Sequence, residues 1–260
     1  MNKSKLNLGF SIAFLLSACV VAGCGGSKIL KEPEPLVPTQ PLAAASNQTL
    51  SVTLDWVIVR GGPGTWARKA DWDEYLLRVR NDSDQPIQVT RLIVVDSQDM
   101  PVESQLGRKQ LAKRSKKTAR RYKKSGIKVK AGSGRGTLGV AAATAGGAAI
   151  GAATATGGIL GVAGFGAAAG ATLVLAPVLA VGGVVRGVNQ SRVNKEIELR
   201  QTTIPFDLTA HQELPLDVFF PIAPSPTRVE LTYIDTSGEH RLAIDTRTAL
   251  DGLHIETAVE

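Results

Sequence analysis

Leu50-Ser51-Val52-Thr53-Leu54-Asp55-Trp56-Val57-Ile58-Val59 decides the fold. Val52, Leu54, Trp56 and Ile58 alternate with Thr53, Asp55, Val57 and Val59, a period of two that lays one apolar side of a strand on a core. Tyr75, Leu77 and Val79 repeat the pattern against Arg78 and Arg80, and the polar turn Asn81-Asp82-Ser83-Asp84-Gln85-Pro86 leads into a third strand from Ile87 to Val95. The same period returns late in the chain, at Ile197 and Leu199, then at Leu214, Leu216, Val218 and Phe220. It recurs at Val229, Leu231 and Tyr233, and at Leu242 and Ile244. Ala223-Pro224-Ser225-Pro226 and Asp235-Thr236-Ser237-Gly238 separate the later strands. About seven strands in roughly 115 residues is the count and size of an immunoglobulin-like β-sandwich, so the fold class is mainly β. Neither half alone closes two sheets. Residues 50–103 and 186–260 therefore form one domain, interrupted by an insertion from about residue 104 to 195 that costs little closure entropy.

The insertion has two parts of opposite character. Residues 104–136 are basic: no acid occurs between Glu103 and Glu196, while 13 Lys or Arg residues lie from Arg108 to Arg135. Removing those cations from the formal net charge of +7 leaves the rest of the chain at −6. Gln105 to Lys124 is predicted to be helical, with Leu106, Leu111, Ala119 and Tyr122 as a thin apolar strip. Lys113, Arg114, Lys116, Lys117, Arg120, Arg121, Lys123 and Lys124 are the candidate contacts to anionic lipid, each contributing on the order of 1 kcal/mol near such a surface. A merely solvated linker is the competing reading. Nucleic acid is disfavoured as a partner, because Tyr122 is the one aromatic in a run where a single-strand binder needs several stacking platforms.

Thr137 to Val185 then runs 49 residues without a charge, 28 of them Gly or Ala. That exceeds the roughly 20 residues of one membrane crossing and suits two joined by a turn. From Ile159 to Val185 the aliphatic residues suffice for a spanning helix despite Pro177. From Gly139 to Gly158 only Val140 and Ile150 are large, so this half needs a protein surface to pack on. Ala143, Gly147, Gly151 and Ala155 recur every four residues, and Gly166 and Gly170 give the second half a similar small-residue face. A compact hairpin tucked against its own β-domain without crossing a bilayer is the other reading of the run.

Residues 1–24 combine Lys3 and Lys5, an apolar stretch around Phe10 to Leu16 and small residues at the end, the layout of a secretory signal. Val21-Ala22-Gly23-Cys24 resembles the lipobox of bacterial lipoproteins, which implies cleavage before Cys24 and acylation of its thiol; Leu16-Ser17-Ala18-Cys19 is the alternative, with Cys19 acylated. With Cys24 acylated the mature chain has no other cysteine, which excludes a disulfide framework and thiolate chemistry. Residues 25–49, with Pro33, Pro35, Pro38 and Pro41, read as a tether. Lipobox and four-residue spacings together resemble the glycine-zipper two-transmembrane-helix lipoproteins of bacterial envelopes. That resemblance implies outer-membrane localisation, oligomerisation through the hairpin and a role in envelope integrity.

Signals for chemistry are thin. His211, His240 and His254 have no ligand spacing and read as solvated or strand-edge residues. Asp71, Asp73 and Glu74 read as surface charge. Gly132-Ser133-Gly134-Arg135-Gly136-Thr137 lacks the Gly-Lys-Ser/Thr ending of a phosphate loop. The Gly-rich loop holding Trp66 and Trp72 reads as two indoles packed over the end of the sandwich, with a binding lip as the alternative. No nucleophile elbow or metalloprotease motif occurs. The expectation is a non-enzymatic outer-membrane lipoprotein without cofactor or metal, its β-domain facing the periplasm and binding an envelope partner. A homo-oligomeric assembly or pore built on the small-residue faces is the alternative.

Overall fold

The computed structural model describes residues 28–30, 40–105, 107–134 and 190–256. Its strands are β1 (Lys28–Ile29), β2 (Ala43–Ser46), β3 (Leu50–Ile58), β4 (Ala67–Arg68), β5 (Trp72–Asn81), β6 (Ile87–Val95), β7 (Pro101–Glu103), β8 (Phe206–Leu208), β9 (Glu213–Pro221), β10 (Arg228–Asp235) and β11 (Gly238–Asp245). Among the described residues two helices, α1 (Arg108–Lys124) and α2 (Gln190–Arg200), lie between β7 and β8 in the chain.

Two antiparallel sheets form a β-sandwich. One has the order β2-β3-β5-β9; the other runs β11-β10-β6-β7, with β8 also paired to β6. Leu50, Val52, Leu54, Tyr75, Leu77, Val79, Val218 and Phe220 of the first sheet meet Val89, Val94, Leu231, Tyr233 and Ile244 of the second in one buried core. Both sheets need strands from either side of the insertion: β9 completes the first by pairing with β5, and β10 pairs with β6 in the second.

The alternation in β3 breaks half-way. Its register against β5 shifts between Leu54 and Trp56, so Asp55 is the extra residue and pairing resumes with Trp56 opposite Leu76. Beyond it Trp56, Val57, Ile58 and Val59 are all buried and belong to the main core. A third layer covers the outer face of the four-stranded sheet. There Trp72 of β5 and Phe219 of β9 meet Trp66 and Ala67, Leu111 of α1, and Val193 and Ile197 of α2, with Ile29 of β1 against the edge. The ribbon of β1 and β4, held by the pairs Lys28–Arg68 and Ile29–Ala67, completes that layer.

Two expectations are corrected here. Ile197 and Leu199 are helical rather than a strand: Val193 and Ile197, four apart, are fully buried, while Leu199 is 72 % exposed. Four-residue spacing among strong helix formers outweighs a two-residue coincidence. The stretch 25–49 is more than a tether, since it contributes β1 and β2, and β2 extends the first sheet through the pairs Ala43–Leu54 to Ser46–Ser51. Among the described residues no helix is long and apolar enough to cross a membrane. The run 137–185, with Ala143, Gly147, Gly151, Ala155, Gly166 and Gly170, lies outside the described residues, as do Cys19, Cys24 and Leu106.

Candidate functional site

Helix α1 is a pinned cationic rod. Leu111, Ser115, Thr118 and Tyr122, spaced at four, three and four, are buried on one side. The expected strip is thus partly wrong, for Ser115 and Thr118 take positions next to Leu111 and Tyr122 while Ala119 is only half-buried. Ser115 succeeds there because its hydroxyl is fully used: it donates to the Asp71 carbonyl (2.6 Å) or the Leu111 carbonyl (2.8 Å) and accepts the Ile222 N–H (3.0 Å). Tyr122 meets Ser97 at 2.9 Å through its hydroxyl, and burial raises that phenol above its ordinary pKa. Gly107 offers no side-chain cap at the helix start, and Asn194 of α2 supplies one by accepting the Arg108 N–H at 3.2 Å.

At 100° per residue, Lys109, Lys113, Lys116, Lys117, Arg120, Lys123 and Lys124 fall within an arc of about 120° centred opposite the buried side. All seven are exposed, and none has an acidic partner among the described residues. Arg114 flanks the arc and is exposed too. Arg121 does not belong to the outward set, because its guanidinium is ion-paired with Asp96, a side chain with no exposed surface, and reaches Gln98 at 3.1 Å. A groove of about 410 Å³ lies between the second half of α1 and the segment after it, with Ala119, Ile127 and Val129 as its apolar surface and Arg120, Lys123 and Lys128 around it. Lys128 is paired there with Glu256 at 2.7 Å.

Two buried polar clusters fasten the insertion to the sandwich, and the sequence pointed to neither. Asp73 and Glu74, expected at the surface, are 1 % and 2 % exposed. His254, expected in solvent, is fully buried, with Nε2 at 2.7 Å from Asp73 and Nδ1 accepting the Gly132 N–H at 3.0 Å. With Nδ1 accepting, Nε2 is the protonated nitrogen and donates to Asp73. That contact draws residues 128–134 against the end of the chain, where Lys130 N–H donates to the His254 carbonyl and Val129 bridges Ile255. The second cluster holds α2. Glu74 accepts the Trp66 indole N–H and lies 3.5 Å from Arg200, whose guanidinium stacks 4.9 Å from the Trp66 ring centre and donates to Glu196 at 2.8 Å. Beside Glu74, burial and then the neighbouring carboxylate push Asp217 up to about 10, so it holds a proton at neutral pH.

Of the remaining signals, Trp66 and Trp72 pack at 6.4 Å from each other beneath the helices, on the outer sheet face rather than over the sandwich end. His211 meets Asp84 at the surface, and His240 stacks on Tyr233 at 5.3 Å. Among the described residues no three His, Cys, Asp or Glu side chains are arranged to hold a metal ion. Comparison with family models, with curated proteins and with solved structures returned no match.

Proposed function

We propose that this chain is a non-enzymatic bacterial envelope lipoprotein, anchored in the outer membrane through Cys24, whose immunoglobulin-like β-domain faces the periplasm and holds a basic helix against anionic head groups while it binds an envelope partner. The observation that carries this reading is the arc of seven exposed cations, without an acidic partner among the described residues, on a helix pinned along its opposite side. A solvated linker has no reason to bury Ser115 and Thr118 to fix its rotation. Eight exposed cations with no acid in the helix also repel one another, a cost offset when an anionic surface supplies the counter-charge. The small-residue spacing of Gly147 and Gly151 supports oligomeric assembly as the second reading.

The test is binding of the full chain carrying Cys24→Ser to vesicles of phosphatidylcholine with and without phosphatidylglycerol. Binding is expected to require the anionic lipid, to weaken with salt, and to fall about tenfold or more in the triple variant Lys113→Glu, Lys117→Glu, Arg120→Glu. Equal binding to both vesicle types rejects the role of the helix. Mass spectrometry of the membrane-extracted wild type reads acylation at Cys24 separately.

A further inference from the structure

The membrane-anchoring features of the sequence all lead into one layer of the fold. Lys28 is paired to β4, and only three residues lie between it and Cys24, so over four chain steps the acyl anchor reaches no farther than about 14 Å from the β1–β4 ribbon even with the chain fully extended. The apolar run returns to the domain at Gln190, the first residue of α2, and α2 packs against both β1 and α1. Leu199, 72 % exposed, projects outward from the same helix. The seven-cation arc of α1 points away from the sandwich on that side as well.

The opposite face of the molecule has a different electrostatic character. On the outward side of the five-stranded sheet, Arg91 pairs with Glu103 at 2.6 Å, Arg228 with Glu230 at 2.6 Å and Arg241 with Glu230 at 3.4 Å. Its cations are matched by acids, whereas the seven outward-facing cations of α1 have no acidic partner among the described residues. Charge complementarity and the short reach from Cys24 therefore select the same side.

We infer that the layer of α1, α2 and the β1–β4 ribbon lies flat against an anionic bilayer, which places the five-stranded sheet, with β11 at its end, toward the aqueous space. This rests on the lipoprotein reading and adds a defined orientation to it. A domain tethered by 25 loose residues would tumble, whereas one clamped at Lys28 presents a fixed face. The partner-binding surface is then the far sheet.

The experiment uses full-length acylated protein with one added cysteine, either Arg68→Cys on β4, Lys116→Cys on α1 or Ala243→Cys on the outward side of β11, all exposed positions. Each is labelled with a fluorophore and reconstituted on vesicles of phosphatidylcholine and phosphatidylglycerol containing a head-group spin-labelled lipid as quencher. Labels at 68 and 116 are expected to be quenched several-fold more than the label at 243. Equal quenching at all three, or stronger quenching at 243, overturns the orientation. Mass spectrometry of the same sample distinguishes the two failures: an acylated Cys24 with no pattern defeats the orientation alone, and an unmodified Cys24 defeats the anchor.

Discussion

Asp217 and Glu74 share a dry site with a single guanidinium, that of Arg200, so the pair retains one proton. The consequence for stability has a definite sign. The folded state keeps a proton on Asp217 up to about pH 10, while in the unfolded chain the group releases it near its ordinary value of 3.8. Across that window the folded state binds more protons, and its stability declines as pH rises. Asp217→Asn keeps a donor facing Glu74 and removes the titration. Its melting temperature is expected to equal or exceed that of the wild type at pH 8 and to vary less between pH 5 and 9 by circular dichroism; an unchanged slope rejects the shared proton. The sequence hid this cluster for a physical reason. Asp73 and Glu74 open β5 beside a Gly- and Trp-rich loop, and apart from Trp66 the elements that cover them, α1, Arg200 of α2 and His254, lie more than 30 positions away, so little that is local signalled their burial.

At the scale of elements, the alternating strands were legible because each offers one apolar side to a single core. The helix α2 and the strand β2 were not: α2 has only two apolar residues facing inward, and Ala-Ala-Ala-Ser in β2 has weak strand propensity and is held by pairing to β3. The segment after α1 shows how closely the insertion is fitted. Gly132 has φ +71°, and a Cβ there would run into the Arg60 carbonyl oxygen; at Gly134, φ +100°, it would meet the Gly252 carbonyl. Gly132→Ala is therefore expected to release the segment from His254, lowering stability by roughly 1–3 kcal/mol and exposing the Gly132 and Lys130 amides to hydrogen exchange. Retained protection at both amides contradicts the close approach. The eight basic residues read as lipid contacts separate in the same physical terms, since six lie in the outward arc, Arg114 is exposed beside it, and Arg121 alone of the eight is paired with a buried acid among the described residues.

For the whole molecule, both limbs of the insertion are fastened independently of the run between them, one by His254 and Tyr122, the other by the Trp66, Glu74 and Arg200 cluster. Replacing residues 137–185 by a flexible Gly/Ser linker is accordingly expected to leave a single cooperative unfolding transition, with the melting temperature within a few degrees of wild type. Loss of cooperativity would show that the run is part of the core. In membranes extracted with alkaline carbonate, the same variant is expected to stay with the lipid fraction through Cys24. Release of this variant alone, with wild type retained, assigns the anchoring to the run.

The pairing of β5 with β9 and of β6 with β10 carries a further consequence, one of timing. The strands that complete both sheets lie after residue 200, so at the moment the 49 uncharged residues have been synthesised neither sheet is whole. Local contacts cannot substitute, because the partners are separated by well over a hundred positions. The most apolar part of the chain is therefore complete before the domain that frames it can close.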